Sequence, residues 1–349
     1  MASKYPTKCT SCGGELIFDP KSVALRCRNC GNSVPMKLSV AKENDYTEAA
    51  ANEKAWSNET KTVRCKSCGA VDIMIKGDFA DVCPYCGSSN IVDSSTSSGI
   101  KPDGIMPFSI SRREAESAFL GRVRKSFWTP SSFKKTVSLD KIKRIYTPVF
   151  TFDSKTATLY SGRLGKDEQV EKRDFNGVWR TETETRWFNV NGTIRHFFDD
   201  EIVAAGQMIG GATLKDLEPY NSNVAVEFDP VFLMGATANS YKKDLVTSFK
   251  QAKQAMESHV RDLILDQYNA NRIAKLDLEM QCIDPKYKYL LLPVYISGCK
   301  YKDKTYNLYA NGTTGKVAGK LPVSKGKVWA AILSGLAIVG GIVALVCLL

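Results

Sequence analysis

The sequence has 349 residues, and its 48 Lys and Arg outnumber 37 Asp and Glu, which gives a formal net charge of +11. A content of 43% apolar and 24% charged residues is ordinary for globular proteins and excludes a wholly disordered chain. The positive charge indicates an anionic partner (nucleic acid, membrane lipid or an acidic protein), and two histidines against eleven cysteines argue against His-rich catalytic metal centres.

Two sets of cysteine pairs lie in the N-terminal third of the chain. In each set two C-x-x-C pairs are separated by 14 residues, and the second set repeats the first at an offset of 56. The two sets are Cys9, Cys12, Cys27 and Cys30, and Cys65, Cys68, Cys83 and Cys86. A glycine follows each pair, and this pattern is typical of four-cysteine zinc ribbons, in which a tight turn directs two thiolates at one ion. Disulfides are disfavoured in a reducing compartment, and rubredoxin-like iron is the remaining alternative.

We therefore expect two structural zinc ions as cofactors. Because cysteines fill all four positions, no coordination site is left for a catalytic water, and the metal should serve folding. The motifs divide the N-terminal region into zinc ribbon 1 at 1–36, a spacer at 37–61 with a short helix at 45–56, zinc ribbon 2 at 62–92 and a Ser-rich linker at 93–104.

Residues 105–325 predict an α+β domain of one or two β-units with antiparallel sheet. The capping box Ser111-x-x-Glu114 opens a first helix. A long amphipathic helix starts near 239, and its apolar stripe from 245 to 263 favours packing onto a sheet over an exposed binding surface. Asn191-Gly192 predicts a hairpin turn between two short strands. The similarity of YTPVF at 146–150 to LLPVY at 291–295 indicates either a duplicated β-unit or two strands with the same pattern.

The C-terminal residues 328–349 form a run of 22 residues without a charge. At ~1.5 Å per residue a helix of this length measures about 33 Å, enough for a hydrocarbon core of roughly 30 Å. Lysines precede the run, which favours a cytoplasmic N-terminal side. We therefore expect a single C-terminal transmembrane helix: a tail-anchored, single-pass protein of the cell membrane with its N-terminal bulk in the cytoplasm. The nine lysines between 286 and 327 would then face the anionic leaflet.

Catalytic motifs are missing from the sequence. It has no GK[ST] phosphate loop, no H-E-x-x-H and no G-x-S-x-G. His196 falls in a predicted strand and His259 on the long helix, where structural roles are favoured. We expect no catalytic residue and no enzyme.

Some segments are similar to a known family. They are CTSCGGEL at 9–16, MPFSI at 106–110, the PVF strand at 148–150 and the block from LLPVYISG at 291 to LPVSKGK at 327. In these segments the chain resembles bacterial membrane-anchored TFIIB-type zinc-ribbon-containing proteins, a family sometimes labelled primosomal or helicase-like. The resemblance implies an adaptor role in envelope stress, with cytoplasmic partners of the SPFH-domain and phage-shock-protein-A-like kinds. The missing motor motifs give the helicase label no support.

Together these features favour a non-enzymatic membrane adaptor or scaffold that recruits cytoplasmic proteins through its ribbons and α+β domain. The alternative is a membrane-tethered nucleic-acid-binding zinc-ribbon protein. Residues 112–144 favour that alternative, because they carry ten Lys and Arg against three acids.

Overall fold

The computed structural model of the chain describes residues 5–6, 8–19, 22–49, 60–75, 83–86, 88–89, 91–94, 101–136, 142–173, 175, 177–206, 208–239, 243–302 and 304–348. The structure is mostly β-sheet.

The strands are β1 (Leu16–Asp19), β2 (Ala24–Cys27), β3 (Ser33–Pro35), β4 (Asn44–Asp45), β5 (Thr60–Cys65), β6 (Val71–Ile75), β7 (Ile91–Ser94), β8 (Gly104–Ile105), β9 (Lys143–Arg173), β10 (Trp179–Ala204), β11 (Val226–Glu227), β12 (Thr237–Asn239), β13 (Arg272–Tyr301), β14 (Lys304–Asn311) and β15 (Val317–Gly319). The helices are α1 (Tyr46–Ala49), α2 (Arg112–Lys125), α3 (Ser131–Thr136), α4 (Gly211–Leu217), α5 (Leu245–Gln267) and α6 (Lys325–Leu348). Of the predicted helix at 45–56, residues 50–56 lie outside the described residues.

Three very long antiparallel strands form the centre of the main sheet, with β9 between β10 and β13. The predicted hairpin turn at Asn191-Gly192 is wrong, because these residues lie inside β10, opposite Ser161 and Tyr160. Gly192 has a packing reason instead: a Cβ there would lie 2.6 Å from the hydroxyl of Tyr160. The glycine therefore permits a close approach between strands.

The two similar segments, 146–150 and 291–295, pair with each other across the middle of the sheet. Thr147 lies opposite Leu292, and these two residues occupy equivalent positions in the two segments. The carbonyl oxygen of Pro148 accepts the N–H of Ala205 at 3.0 Å. Its equivalent in the second segment, the carbonyl of Pro293, accepts the N–H of Gly312 at 2.9 Å. The local geometry is thus repeated about a pseudo-twofold axis.

The neighbouring elements obey the same symmetry. Strand β12 joins β9 in parallel at 145–146, and β8 joins β13 in parallel at the equivalent residues 290–291. The chain therefore contains two β-α-β-β units, β8-α2-β9-β10 and β12-α5-β13-β14. The first strand of each unit pairs with the second strand of the other unit. This arrangement supports the duplicated β-unit over two unrelated strands of similar pattern.

Both predicted helices are present. In α2 the capping box is confirmed: the N–H of Glu114 donates to Ser111 Oγ at 3.3 Å, and the N–H of Ser111 donates to the Glu114 carboxylate at 2.6 Å. Helix α5 begins at 245 rather than near 239, because Asp244 caps it by accepting the N–H of Thr247 at 2.6 Å. Its apolar stripe is buried against β9, β10 and β13, as the packing interpretation predicts.

The ribbons are integrated into the body of the protein and are not separate modules. In ribbon 1, Phe18 contacts Phe232 edge to face, with ring centroids 5.2 Å apart. In ribbon 2, β6 pairs with β12, and the hydroxyl of Tyr85 donates to the side chain of Asn239. Residues 93–94 of the predicted linker belong to β7, and 95–100 lie outside the described residues. Ile73 and Tyr85 are each 3% exposed and need this docking to stay out of water.

The membrane prediction needs correction. Helix α6 is present, but its side chains are described only for 325–336 and 339–340. Within the part of the chain that the structure describes, no helix combines the length and the apolar character that crossing a bilayer requires, which is about 20 residues. On this finding the expected transmembrane helix at 328–349, the tail anchor and the single-pass placement in the cell membrane are wrong.

The lysine-rich stretch 286–327, which includes the first residues of α6, also differs from the expectation that it faces a lipid surface. Lys316 Nζ donates to the carbonyl oxygen of Glu218 at 2.7 Å, and Lys327 Nζ donates to that of Phe127 at 2.9 Å. These ammonium groups satisfy carbonyl oxygens of the chain itself. Part of the net charge therefore has an internal structural role.

Candidate metal centres

Ribbon 1 brings its four predicted ligands together. The Sγ atoms of Cys9 and Cys30 are 3.6 Å apart, and those of Cys12 and Cys27 are 3.5 Å apart. Tetrahedral zinc with Zn–S bonds of ~2.3 Å places its sulfurs about 3.8 Å from one another. The cluster therefore has the dimensions of a four-coordinate metal site.

Ribbon 2 repeats this arrangement. Cys65 and Cys86 have their sulfurs 3.7 Å apart, and Cys68 and Cys83 have theirs 3.6 Å apart. All four ligand atoms of each set lie within 4.8 Å of one another. Two tetracysteine clusters that can hold metal ions are thus present, as the spacing predicts.

A tight turn after each first cysteine explains the local geometry. The N–H of Gly13 donates to the carbonyl of Cys9 at 2.8 Å, and the N–H of Gly69 donates to that of Cys65 at 2.9 Å. Gly13 and Gly69 have φ values of 70° and 76°, in the left-handed region that glycine adopts without a Cβ penalty. The glycine lets the second cysteine of the pair turn back towards the same point as the first.

The turns also direct backbone N–H groups at the sulfurs. Those of Ser11 and Cys12 lower the pKa of Cys9 to about 6. In ribbon 2, burial acts to raise the pKa of Cys65, but the N–H groups of Cys68 and Ser67 bring it down to about 7. Such donors stabilise a thiolate, which is the form that binds a metal.

Cys12 in ribbon 1 and Cys83 in ribbon 2 show the opposite shift. The N–H of Gly14 acts to lower the pKa of Cys12, but the neighbouring thiols of Cys30 and Cys27 outweigh it and raise the pKa to about 12. Burial raises the pKa of Cys83. Four thiols at van der Waals distance cannot all ionise unaided, so a cation is needed to hold them together as thiolates.

The two histidines, which the sequence treats separately, meet in the structure. His196 on β10 and His259 on α5 have ring centroids 5.2 Å apart. Burial, and then the neighbouring His259, lowers the pKa of His196. Within the described ranges, groups of three or more metal-ligand side chains occur at the two cysteine sets. The histidine pair therefore fits the expected structural role.

A buried polar cluster around Lys288 was not predicted, because its members are far apart in sequence. Lys288 Nζ lies 3.3 Å from a carboxylate oxygen of Asp200 and 3.1 Å from Ser222 Oγ. Burial acts to lower the pKa of Lys288, but the carboxylates of Asp200 and Asp153 outweigh it and raise the pKa. A protonated lysine cannot accept a proton from Ser222, so the cluster is an ion-pair network and not a Ser–Lys nucleophile.

An open cleft of about 710 Å³ lies beside this cluster, between the end of β10, α4 and α5. Burial raises the pKa of Glu201, and the neighbouring Glu218 adds to this shift. Tyr220 lines the same cleft, and burial raises its pKa. These groups line a polar cleft.

Comparisons with known proteins give one informative likeness. No family model matches the chain, and no solved structure matches it. Among curated proteins, it is similar to the uncharacterized protein YdjG of Bacillus subtilis (strain 168), with 29% identity over 331 residues, covering 95% of this chain and 93% of that protein. The likeness spans ribbons and sheet alike. The resemblance to TFIIB-type zinc-ribbon proteins stays a prediction.

Proposed function

We propose that the protein is a non-enzymatic scaffold that binds protein partners and is held in shape by two structural zinc ions. The observation that supports it most directly is that both metal centres are closed four-cysteine sites built into the body of the protein. A centre with four cysteine ligands has no open position at which a substrate or water can be activated. The metal ions then stabilise the fold that presents the partner-binding surface.

Zinc is the ion that suits these centres. Four thiolates at tetrahedral spacing select a soft or borderline cation, and structural zinc is typical of this ligand set. Elemental analysis of the purified full-length chain should find two zinc ions per molecule. Iron in place of zinc, recognised by its visible absorption, would contradict the assignment.

The class of partner comes from the family resemblance, which implies SPFH-domain and phage-shock-protein-A-like proteins. The end of the β9–β10 hairpin offers side chains suited to such binding: Phe175 is 97% exposed and Trp179 is 64% exposed. Aromatic side chains are enriched at the energetic centres of protein interfaces.

The test is crosslinked purification of the full-length chain from its own cells, followed by identification of the proteins that accompany it. Reproducible partners are expected for the wild type and should be lost or reduced in a Phe175→Ala, Trp179→Ala variant. Phe197→Ala is the matched control, because this exposed aromatic residue lies far from the hairpin end. The absence of any reproducible partner would contradict the proposal.

A second candidate function, nucleic-acid binding, is favoured by one surface feature. Phe127 and Trp128 are 66% and 44% exposed, with ring centroids 5.1 Å apart, and follow the basic last turn of α2. Exposed aromatic rings beside Arg and Lys suit stacking on bases next to phosphates. Binding of the full chain to single-stranded RNA or DNA should then weaken steeply with salt and be lost in Trp128→Ala. No binding at low salt would exclude this candidate.

A further inference from the structure

The β9–β10 hairpin continues past the end of β13. The pairing of β13 with β9 starts at Arg272 and Gly165, whereas β9 and β10 pair onward from Lys166 opposite Arg186 to Arg173 opposite Trp179. We call these eight residue pairs, 166–173 and 179–186, the arm. At ~3.4 Å per residue it is about 27 Å long. Among the described strands no third one joins it, and isolated two-stranded ribbons are only marginally stable in water.

Charges in the arm are arranged unfavourably for two strands alone. Glu184 lies directly opposite Glu168, and Arg186, two residues further along the same face, lies directly opposite Lys166. Like charges directly opposite one another destabilise an antiparallel pair. Lys172 offsets part of this repulsion by pairing with Glu184, but both of these side chains are half exposed, so the offset is small. The arm thus carries a doubly negative row next to a doubly positive row.

The outer edge of β10 is suited to accept another strand. Strand β10 pairs with β9 on one side, and no other described strand pairs with its second edge. Proline on an edge strand removes a backbone N–H that pairing needs, and the 26 residues of β10 contain no proline. The arm part of β10 reads WRTETETR, which is rich in residues that favour extended structure.

We propose that β10 pairs with β10 of a second copy of this chain, antiparallel and in a register centred on Thr185. In this register Glu184 of each copy lies opposite Arg186 of the other. The negative row of one arm, Glu168 and Glu184, then lies next to the positive row of the other, Arg186 and Lys166. This contact occurs twice per dimer. Residues 179–191 of the two β10 strands then pair with each other, so each arm gains a third strand, and each like-charge pair gains opposite charges beside it.

Neither other registers nor other partners reproduce this complementarity. A register centred on Thr183 places Glu182 opposite Glu184 and repels. An unrelated strand could satisfy the backbone of β10, but a second copy supplies both charged rows in the required antiparallel order. The dimer follows from the charge pattern of the arm.

Sedimentation of the full-length chain over a range of concentrations tests the proposal. The wild type should dimerise, and Glu184→Arg or Arg186→Glu should each raise the dimer dissociation constant at least about tenfold, because like charges then meet across the interface. Mixing the two single variants should restore dimers, since one arm becomes positive and the other negative at residues 184 and 186. Glu279→Arg, an exposed reversal on β13 outside the arm, is the control that keeps dimerisation.

The register is tested by oxidation. Thr185→Cys should give a covalent dimer that dithiothreitol reverses, because residue 185 faces its own copy, whereas Thr183→Cys should not. Circular dichroism identifies any variant that fails to fold. A wild type that stays monomeric at every concentration, or a dimer that both charge reversals leave intact, would overturn the proposal.

Discussion

Serine substitution of Cys65 and Cys68 removes two of the four ligands of ribbon 2, and we expect it to destabilise the main sheet as well as the ribbon. Strand β6 of this ribbon pairs with β12, and β12 pairs with β9 at the centre of the sheet. Without the metal the two knuckles lose the charge that holds their thiolates together. Strand β6 then no longer covers the outer edge of β12.

The size of the effect follows from the side chains that ribbon 2 contributes to the core. Ile73 and Tyr85 are each 3% exposed and belong to two separate clusters of buried residues. Burying one such side chain is worth roughly 1.5–3 kcal/mol, so losing both costs about 3–6 kcal/mol. Whole domains are stable by only about 5–15 kcal/mol, so the variant should be close to unfolding.

Elemental analysis of the full chain measures its metal content, and urea unfolding measures its free energy of unfolding. The variant should lose one metal ion per chain, and its free energy of unfolding should fall by the amount above. Cys282→Ser is the matched control, because this half-buried cysteine on β13 lies outside both ligand sets. If the variant lost its metal while the unfolding of the main sheet stayed unchanged, ribbon 2 would be an independent module and the reasoning would be refuted.

Three further predictions concern the sheet and its helix. Met256→Ala, on the fully buried face of α5, should lower the free energy of unfolding by about 2–5 kcal/mol in urea, whereas exposed Gln254→Ala should change it by less than about 0.5 kcal/mol. Gly192→Ala should cost about 1–3 kcal/mol in thermal unfolding, because the added methyl meets the buried ring of Tyr160. Burial and the neighbouring histidine lower the pKa of His196, so the unfolded chain takes up this proton at a higher pH than the folded chain. Stability should therefore fall as the pH drops below about 6.5, and His196→Phe should reduce that loss.

Features set by neighbours in the sequence could be predicted from it. The ligands of each knuckle are three positions apart, so the turn that joins them is encoded locally, and the cysteine sets were found by spacing alone. The N-terminus of α2 is a similar case, because Ser111 and Glu114 satisfy each other's backbone within one turn.

Features that depend on contacts between distant segments could not be predicted from the sequence. Asn191-Gly192 has the composition of a hairpin turn, but Tyr160, some 30 residues away, decides that the glycine lies inside a strand. The Lys288 cluster likewise depends on Asp200 and Ser222, which come to the lysine from other parts of the chain. The predicted strands are too short for the same reason. Alternation of apolar and polar side chains occurs in any part of a strand, whereas the pairing partner determines where the strand ends.

The repeated β-α-β-β arrangement explains why the metal centre of ribbon 2 lies beside β12. Each β-α-β-β unit leaves the outer edge of its short first strand in need of cover. The edge of β12 is covered by β6 of ribbon 2, and the edge of β8 by β11, which in turn meets Val40 after ribbon 1. Two equivalent edges are thus protected by different means, one of them dependent on metal. In the Cys65→Ser, Cys68→Ser variant the amides of β12 should therefore lose protection from hydrogen exchange before those of β8. Equal loss at both strands would mean that the metal supports the fold as a whole and not one edge of it.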